Sequence, residues 1–255
     1  MGSSVKRHSM RKLFYLIFFT SPFLSKAQQK FIYEGTIEYE RRINVHRQVP
    51  EDEERSEWFK NFVKTMPPFN SSTFTLQFRE NQSIYKISGE YTTIQMDWIM
   101  GPAKENTVLT NFETHTRTSS KKVFETSFVI ADSLNNIEWK ITEEKRTIAG
   151  MECRKAVGKI CDSVYVTAFY TDEIPVSGGP ESFEGLPGMI LGLAIPRLST
   201  TWFATKVQLT KTVDKDFAIS NRGSKTDKAK LTATLQSSLK NWGKYGQKNI
   251  WWVML

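Results

Sequence analysis

Aromatic and β-branched residues recur at every second position along much of this chain, and that period decides what it can fold into. Phe31-Ile32-Tyr33-Glu34-Gly35-Thr36-Ile37-Glu38-Tyr39, Phe74-Thr75-Leu76-Gln77-Phe78 and Ser83-Ile84-Tyr85-Lys86-Ile87 all follow it. On an extended chain, residues two apart share a face, so each segment buries one side as a half-exposed strand. Similar segments predict strands near 91–99, 106–114, 121–130, 137–148, 151–157, 160–171, 188–194 and 200–211. No long helices alternate with them. The expected fold is mainly β, with α elements at its margins: a curved, twisted antiparallel sheet in which consecutive strands are neighbours, without the crossover helices of a parallel sheet.

Two helices are expected beside the sheet. The first follows Pro50 over 51–66, opens on Glu51-Asp52-Glu53-Glu54, carries Lys60 and Lys64 late and stops at Pro67-Pro68. Acid first, base last and proline at the end suit the helix dipole and termination rules. Its Trp58, Phe59, Phe62, Val63 and Met66 form a broad apolar face that is expected to cover one side of the sheet. The second spans 225–241, with Leu231, Leu235 and Leu239 at i+4 and Gly243 as a stop. Residues Ile250 to Leu255 read equally as a last strand, a membrane-touching end or a partner-docking peptide.

The amino terminus reads as a signal for export. Arg11-Lys12 precede the apolar run Leu13 to Phe19, and Ser25-Lys26-Ala27 supply a small-residue cleavage site. The apolar run is too short to span a bilayer, for which about 20 residues are needed. The domain plan is therefore a signal peptide over 1–27, a β-rich domain over 28–211 and a basic tail over 212–255, with no transmembrane span after the leader. The formal charge of the whole chain is +8, but five of its basic residues belong to the leader. Residues 206–255 carry ten Lys or Arg against three Asp. The basicity thus belongs to the leader and the tail; no nucleic-acid partner is expected, and acidic headgroups or polysaccharide are candidate contacts for the tail.

Cys153 and Cys161 are the two cysteines. A three-residue turn at 156–158, with Gly158 left-handed, would set them opposite each other, and in an oxidising compartment a disulfide is expected; two thiols are the alternative. Motifs for a zinc protease, a serine hydrolase or a phosphate loop are absent, and no metal or cofactor is expected.

The segment 172–188 is dense in Gly and Pro and ends in Gly185-Leu186-Pro187-Gly188-Met189-Ile190. Pro187 followed by Gly188 suits a type II turn leading into a buried strand. This motif resembles the signature of the GLPGLI family of exported proteins from Gram-negative bacteria, with Met189 where the family name has leucine. Trp139, Ile148 to Cys153, Lys155-Ala156, Ala168 to Pro175 and Gly179-Pro180 resemble the family's middle region. Cys161 and the tail beyond 211 depart from it. The resemblance implies a periplasmic or surface-exposed β-rich protein, similar in build to the half-barrel lipoprotein carriers, and carries no activity with it.

Together these readings predict a non-enzymatic binding or accessory module of the cell envelope. A lipid or peptide is expected between sheet and loop, at Trp58, Tyr170, Asp172, Glu173, Leu186 and Pro187. An alternative is a hydrolase-like site in which His115 meets Tyr170, Asp172 and Glu173. A third reading is an adaptor that docks on an outer-membrane protein through a sheet edge or the aromatic carboxyl end.

Overall fold

The period of two is realised in strands. In a computed structural model, which describes residues 1–2, 31–48, 57–91, 102, 105–161 and 163–255, strand β1 (Gly35–Asn44) turns Ile37, Tyr39, Arg41 and Ile43 inward, and β2 (Phe69–Arg79) turns in Phe74, Leu76 and Phe78. The leader beyond its first two residues, the opening turn of the helix expected at 51–66 and residues 92–99 of an expected strand lie outside the described residues.

Ten further strands continue the sheet: β3 (Gln82–Tyr91), β4 (Thr107–Asn111), β5 (Thr116–Val123), β6 (Thr126–Ser133), β7 (Lys140–Ile148), β8 (Met151–Ile160), β9 (Val164–Thr171), β10 (Met189–Ile195), β11 (Thr200–Gln208) and β12 (Ser224–Thr226). Among the described residues they form one open sheet of twelve strands in the order β12-β6-β5-β4-β3-β2-β1-β11-β10-β9-β8-β7. Two meanders, β1 to β6 and β7 to β11, join where β1 pairs antiparallel with β11. The pairing of β12 with β6 is parallel, so the sheet is mixed. The segment expected as one strand at 121–130 is a hairpin, because Phe124 turns left-handed at φ 52° and separates β5 from β6.

Bulges at Glu38/Tyr39, Thr73/Phe74 and Ile190/Gly192 bend the sheet. It curls so far that Arg146 of β7 lies 5.8 Å from the ring of Phe203 on β11, although three strands separate them in the sheet order. The main core fills this curl with β1 and β2, β8 to β11 and the 174–190 segment, together with Trp252 and Leu255.

Two helices pack near the carboxyl end. Helix α2 (Lys228–Ser238) starts at Asp227, whose side chain accepts from the Lys230 N–H. Its Leu231 and Leu235, with Leu239 just beyond, form a second apolar cluster with Val123, Ile130 and the following helix α3 (Gly243–Met254). Gly243, expected as a stop, adopts φ 53° and begins α3. Residues 250–254 are therefore helical, and Ile250, Trp252, Val253, Met254 and Leu255 are buried.

The described part of the first helix, α1 (Glu57–Thr65), does not act as the expected cover. Val63 and Met66 are buried, whereas Trp58 is 72% exposed and stacks on Phe62 with ring centres 5.5 Å apart. Acid and base order set the helix ends, but the first apolar turn found no sheet to lie on.

Candidate polar wedge and ligand pocket

The inner face of β5 carries Arg117, Ser119 and Lys121, all buried, where the other meander carries apolar side chains. An uncompensated cation in a protein interior costs several kcal/mol, so each must find a partner. The 172–188 segment drops into the curl as a wedge and supplies the partners of Arg117, while α3 supplies that of Lys121. Arg117 Nη1 donates to Glu184 Oε2 at 2.9 Å and to the Ser182 carbonyl at 3.0 Å. Glu184 also accepts from the Asn135 N–H at 2.7 Å. Lys121 Nζ donates to the Val253 carbonyl near the end of α3 at 2.9 Å, where the helix's unpaired carbonyls gather negative potential.

Glu181 forms a second anchor. Its Oε2 accepts from Asn106 Nδ2 at 2.8 Å, and its Oε1 lies 3.8 Å from Arg41 Nη1. The backbone of Glu181 is left-handed, at φ 54°. Tyr85 and Trp202 border this group with the phenol and indole buried. Burial pushes the Tyr85 and Tyr39 phenols well above their ordinary pKa, and Tyr39 is held neutral as it donates to the Ile190 carbonyl at 2.6 Å.

Burial also shifts the titration of the groups on and around the wedge. It raises the Glu184 carboxyl despite Arg117, lowers the Lys121 ammonium to about 8 and lowers Lys228. Arg117 lowers both lysines further, and Lys121 also feels Lys228, so the region has cations crowded against one another.

Backbone geometry keeps the wedge seated. Ile190 N donates to the Gly178 carbonyl and Met189 N to the Ile174 carbonyl, while Trp139 Nε1 holds the Glu184 carbonyl at 2.9 Å. Gly188 N donates to the Leu186 carbonyl, which closes a three-residue γ-turn around Pro187 in place of the expected type II turn. Gly188 has φ 152°, and a Cβ there would collide with the Thr171 carbonyl. The glycine is required by close backbone approach more than by turn type.

At the rim, between the wedge, the β8–β9 turn and α2, lies a cavity of about 220 Å³. Lys159, Lys228, Asn135 and Asn136 give it donors, and Phe183 and Met254 an apolar wall. Lys228 Nζ donates to Asn135 Oδ1 at 3.1 Å. A smaller cavity of about 20 Å³ shares Ser182, Lys228, Met254 and Leu255 with it and reaches Arg117 and Lys121. The arrangement can take a small acidic or carbonyl group backed by apolar surface. Among the described residues no three His, Cys, Asp or Glu gather to hold a metal ion.

The six expected ligand contacts do not share this space. Tyr170 and Leu186 are buried in the main core, Asp172 and Pro187 are exposed, Glu173 is half-buried, and Trp58 is exposed on α1. His115 sits exposed at φ 53° on the β4–β5 turn. Within the motif 185–190, Leu186, Gly188, Met189 and Ile190 are buried and Gly185 and Pro187 exposed, so its role is to seat the wedge.

The expected disulfide is overturned. Residues 156–158 continue β8 and the chain reverses beyond Ile160, so Cys153 lies near the start of that strand and Cys161 just past its end. Eight residues of strand separate them by about 26 Å, far beyond bridging distance. Neither is disulfide-bonded; Cys153 is buried and Cys161 exposed on the wall of the larger cavity.

Arg117, Lys121, Glu181 and Glu184 were not foreseen. Both faces of β5 are polar in sequence, which hides the buried face from an alternation reading, and Glu181 and Glu184 look like ordinary loop acids. Trp139, one of the residues of the family-like pattern, does meet the wedge at the Glu184 carbonyl.

Residues 158–192 match a family described as a protein of unknown function, Porph_ging. That stretch runs from the end of β8 through β9 and the wedge into β10. No curated protein matches the chain. Among solved structures, PNGF-II in space group C2 is similar at 15% identity and TM-score 0.52, over 79% of this chain and 32% of that one. Its P21 form gives 16% identity and TM-score 0.51 over the same shares. An uncharacterised conserved protein from Thermus thermophilus aligns at 4% identity and TM-score 0.38, over 76% of this chain and 90% of that one. The chain thus spans about a third of the length of PNGF-II, and likeness at such identity concerns the fold alone.

Proposed function

We propose that this chain is a non-enzymatic binding module of a bacterial cell envelope, a GLPGLI-type protein exported behind its leader, and that it holds the acidic end of a peptide or lipid in the rim cavity. The carrying observation is the 220 Å³ cavity between wedge and α2, with Lys159 and Lys228 beside an apolar wall. Its size is below that of pockets for whole drug-sized ligands, which suits an end group or a single side chain. The wedge fills the curl that would otherwise take a larger apolar cargo. The hydrolase alternative gains nothing from His115, which stands on an exposed turn.

Cys161 provides a built-in reporter. Acidic peptides or lipids that enter the cavity are expected to slow alkylation of Cys161, and Lys159→Glu with Lys228→Met is expected to abolish that protection. Mass spectrometry of protein purified from its own periplasm checks for a retained ligand. Protein that emerges without ligand, with Cys161 alkylation indifferent to acidic peptides and lipids, would sink the reading.

A further inference from the structure

Away from the cavity, a tip built from the β5–β6 hairpin and the α2–α3 junction exposes two aromatic rings and backs them with a half-buried third. Phe124 is 43% and Trp242 46% exposed, with ring centres 5.9 Å apart; Tyr245 stacks on Trp242 at 5.8 Å. Phe124 occupies a left-handed turn position at φ 52°. Such a position favours Gly or Asn, so a bulky ring there bears a backbone cost.

The charge around the tip is one-sided. From Lys228 to Leu255 the chain has five lysines and no acidic residue. Lys122, Lys240 and Lys244 are exposed beside the rings, with Glu125 as the neighbouring acid. Amphipathic rings flanked by lysines are the composition of membrane-interface anchors, in which rings enter the headgroup boundary and ammonium groups meet anionic lipid. The excess of exposed lysines over acids around the rings is complementary to an anionic headgroup layer.

We propose that this tip docks the protein on an anionic lipid surface, with Phe124 and Trp242 inserted and Lys122, Lys240 and Lys244 against the headgroups. This stands apart from the rim cavity, about 20 Å away along α2.

The test is co-sedimentation of the full chain with vesicles of about three parts phosphatidylethanolamine to one part phosphatidylglycerol, against pure phosphatidylcholine. The wild type is expected to partition onto the anionic vesicles and to leave them at high salt. Phe124→Ser with Trp242→Ser is expected to weaken partitioning at least about tenfold, with Cys153 still shielded from alkylation as a check on folding. Lys122→Glu, Lys240→Glu and Lys244→Glu together are expected to remove the preference for anionic lipid. Indifference of the wild type to anionic vesicles, or partitioning of either variant at the wild-type level, would overturn the proposal. Retention solely on vesicles that carry membrane protein would assign the tip to a protein partner and overturn it equally.

Discussion

Arg117 Nη1 lies 3.0 and 2.9 Å from the two carboxylate oxygens of Glu184, and the two side chains are 4% and 5% exposed. This contact ties the polar strand β5 to the wedge. Arg117→Met leaves the carboxylate buried among fewer donors and is expected to cost about 3–5 kcal/mol in urea unfolding. Pairing it with Glu184→Leu is expected to recover most of that loss. Because burial raises the Glu184 pKa in the fold, its contribution is greatest at low pH and is lost as pH rises through the folded value. Wild-type stability measured relative to Glu184→Gln should therefore fall as the pH climbs out of the carboxylate range; a flat difference would contradict the assignment.

Lys121 gives the opposite slope at alkaline pH. Its ammonium titrates near 8 in the fold against 10.5 ordinarily, so the unfolded chain binds the extra proton between these values. The penalty for burying it is present in full below about 8 and disappears by about 10.5, which amounts to roughly 3 kcal/mol. Relative to Lys121→Met, the wild type should gain stability across that window. Unfolding curves for the two proteins at stepped pH measure the difference directly.

Gly188→Ala is expected to destabilise by about 3 kcal/mol or more, because the new methyl meets the Thr171 carbonyl and the backbone is already outside the range of ordinary residues. Gly150 is the control. It too has a positive φ, of 83°, but open space around it, so Gly150→Ala should cost about 1 kcal/mol. Equal losses at the two sites would remove the close-approach argument.

The thiols should separate cleanly under alkylation. Cys161 is exposed, while Cys153 is buried and its pKa is pushed up to about 12 chiefly by that burial. Native protein should take one alkyl group quickly and the second only on unfolding, with no change on prior reduction. Mass spectrometry counts the adducts, and two protected sulfurs released by reductant would show a bridge after all.

The strands were legible because their cause is local. Ile37, Tyr39, Phe74, Leu76 and Phe78 announce a buried face within a few residues. The wedge was not, because the reason for burying Glu184 is Arg117, 67 positions away, and neither residue marks itself. Gly188 illustrates an intermediate case: its positive φ was foreseeable from Pro187-Gly188, but the crowding by Thr171 that makes it obligatory is tertiary. For the cysteines, local turn chemistry suggested a hairpin at Gly158, and pairing of β8 with β9 from Arg154 to Ile160, with Ile160 opposite Val164, set the reversal after Ile160 instead.

The join between the two meanders governs how this molecule can come into being. Ile37 pairs with Val207, 170 residues later, and Trp252 and Leu255 close the same core. A half-synthesised chain can pair β1 with β2, but it lacks both β11 for the other edge of β1 and the residues that fill its interior, so that edge waits unpaired. A pairing across so long a stretch of chain forms slowly. The open flank of β1 is thus an aggregation hazard during that wait, and whatever accompanies the nascent chain must shield the stretch around Ile37 until β11 arrives.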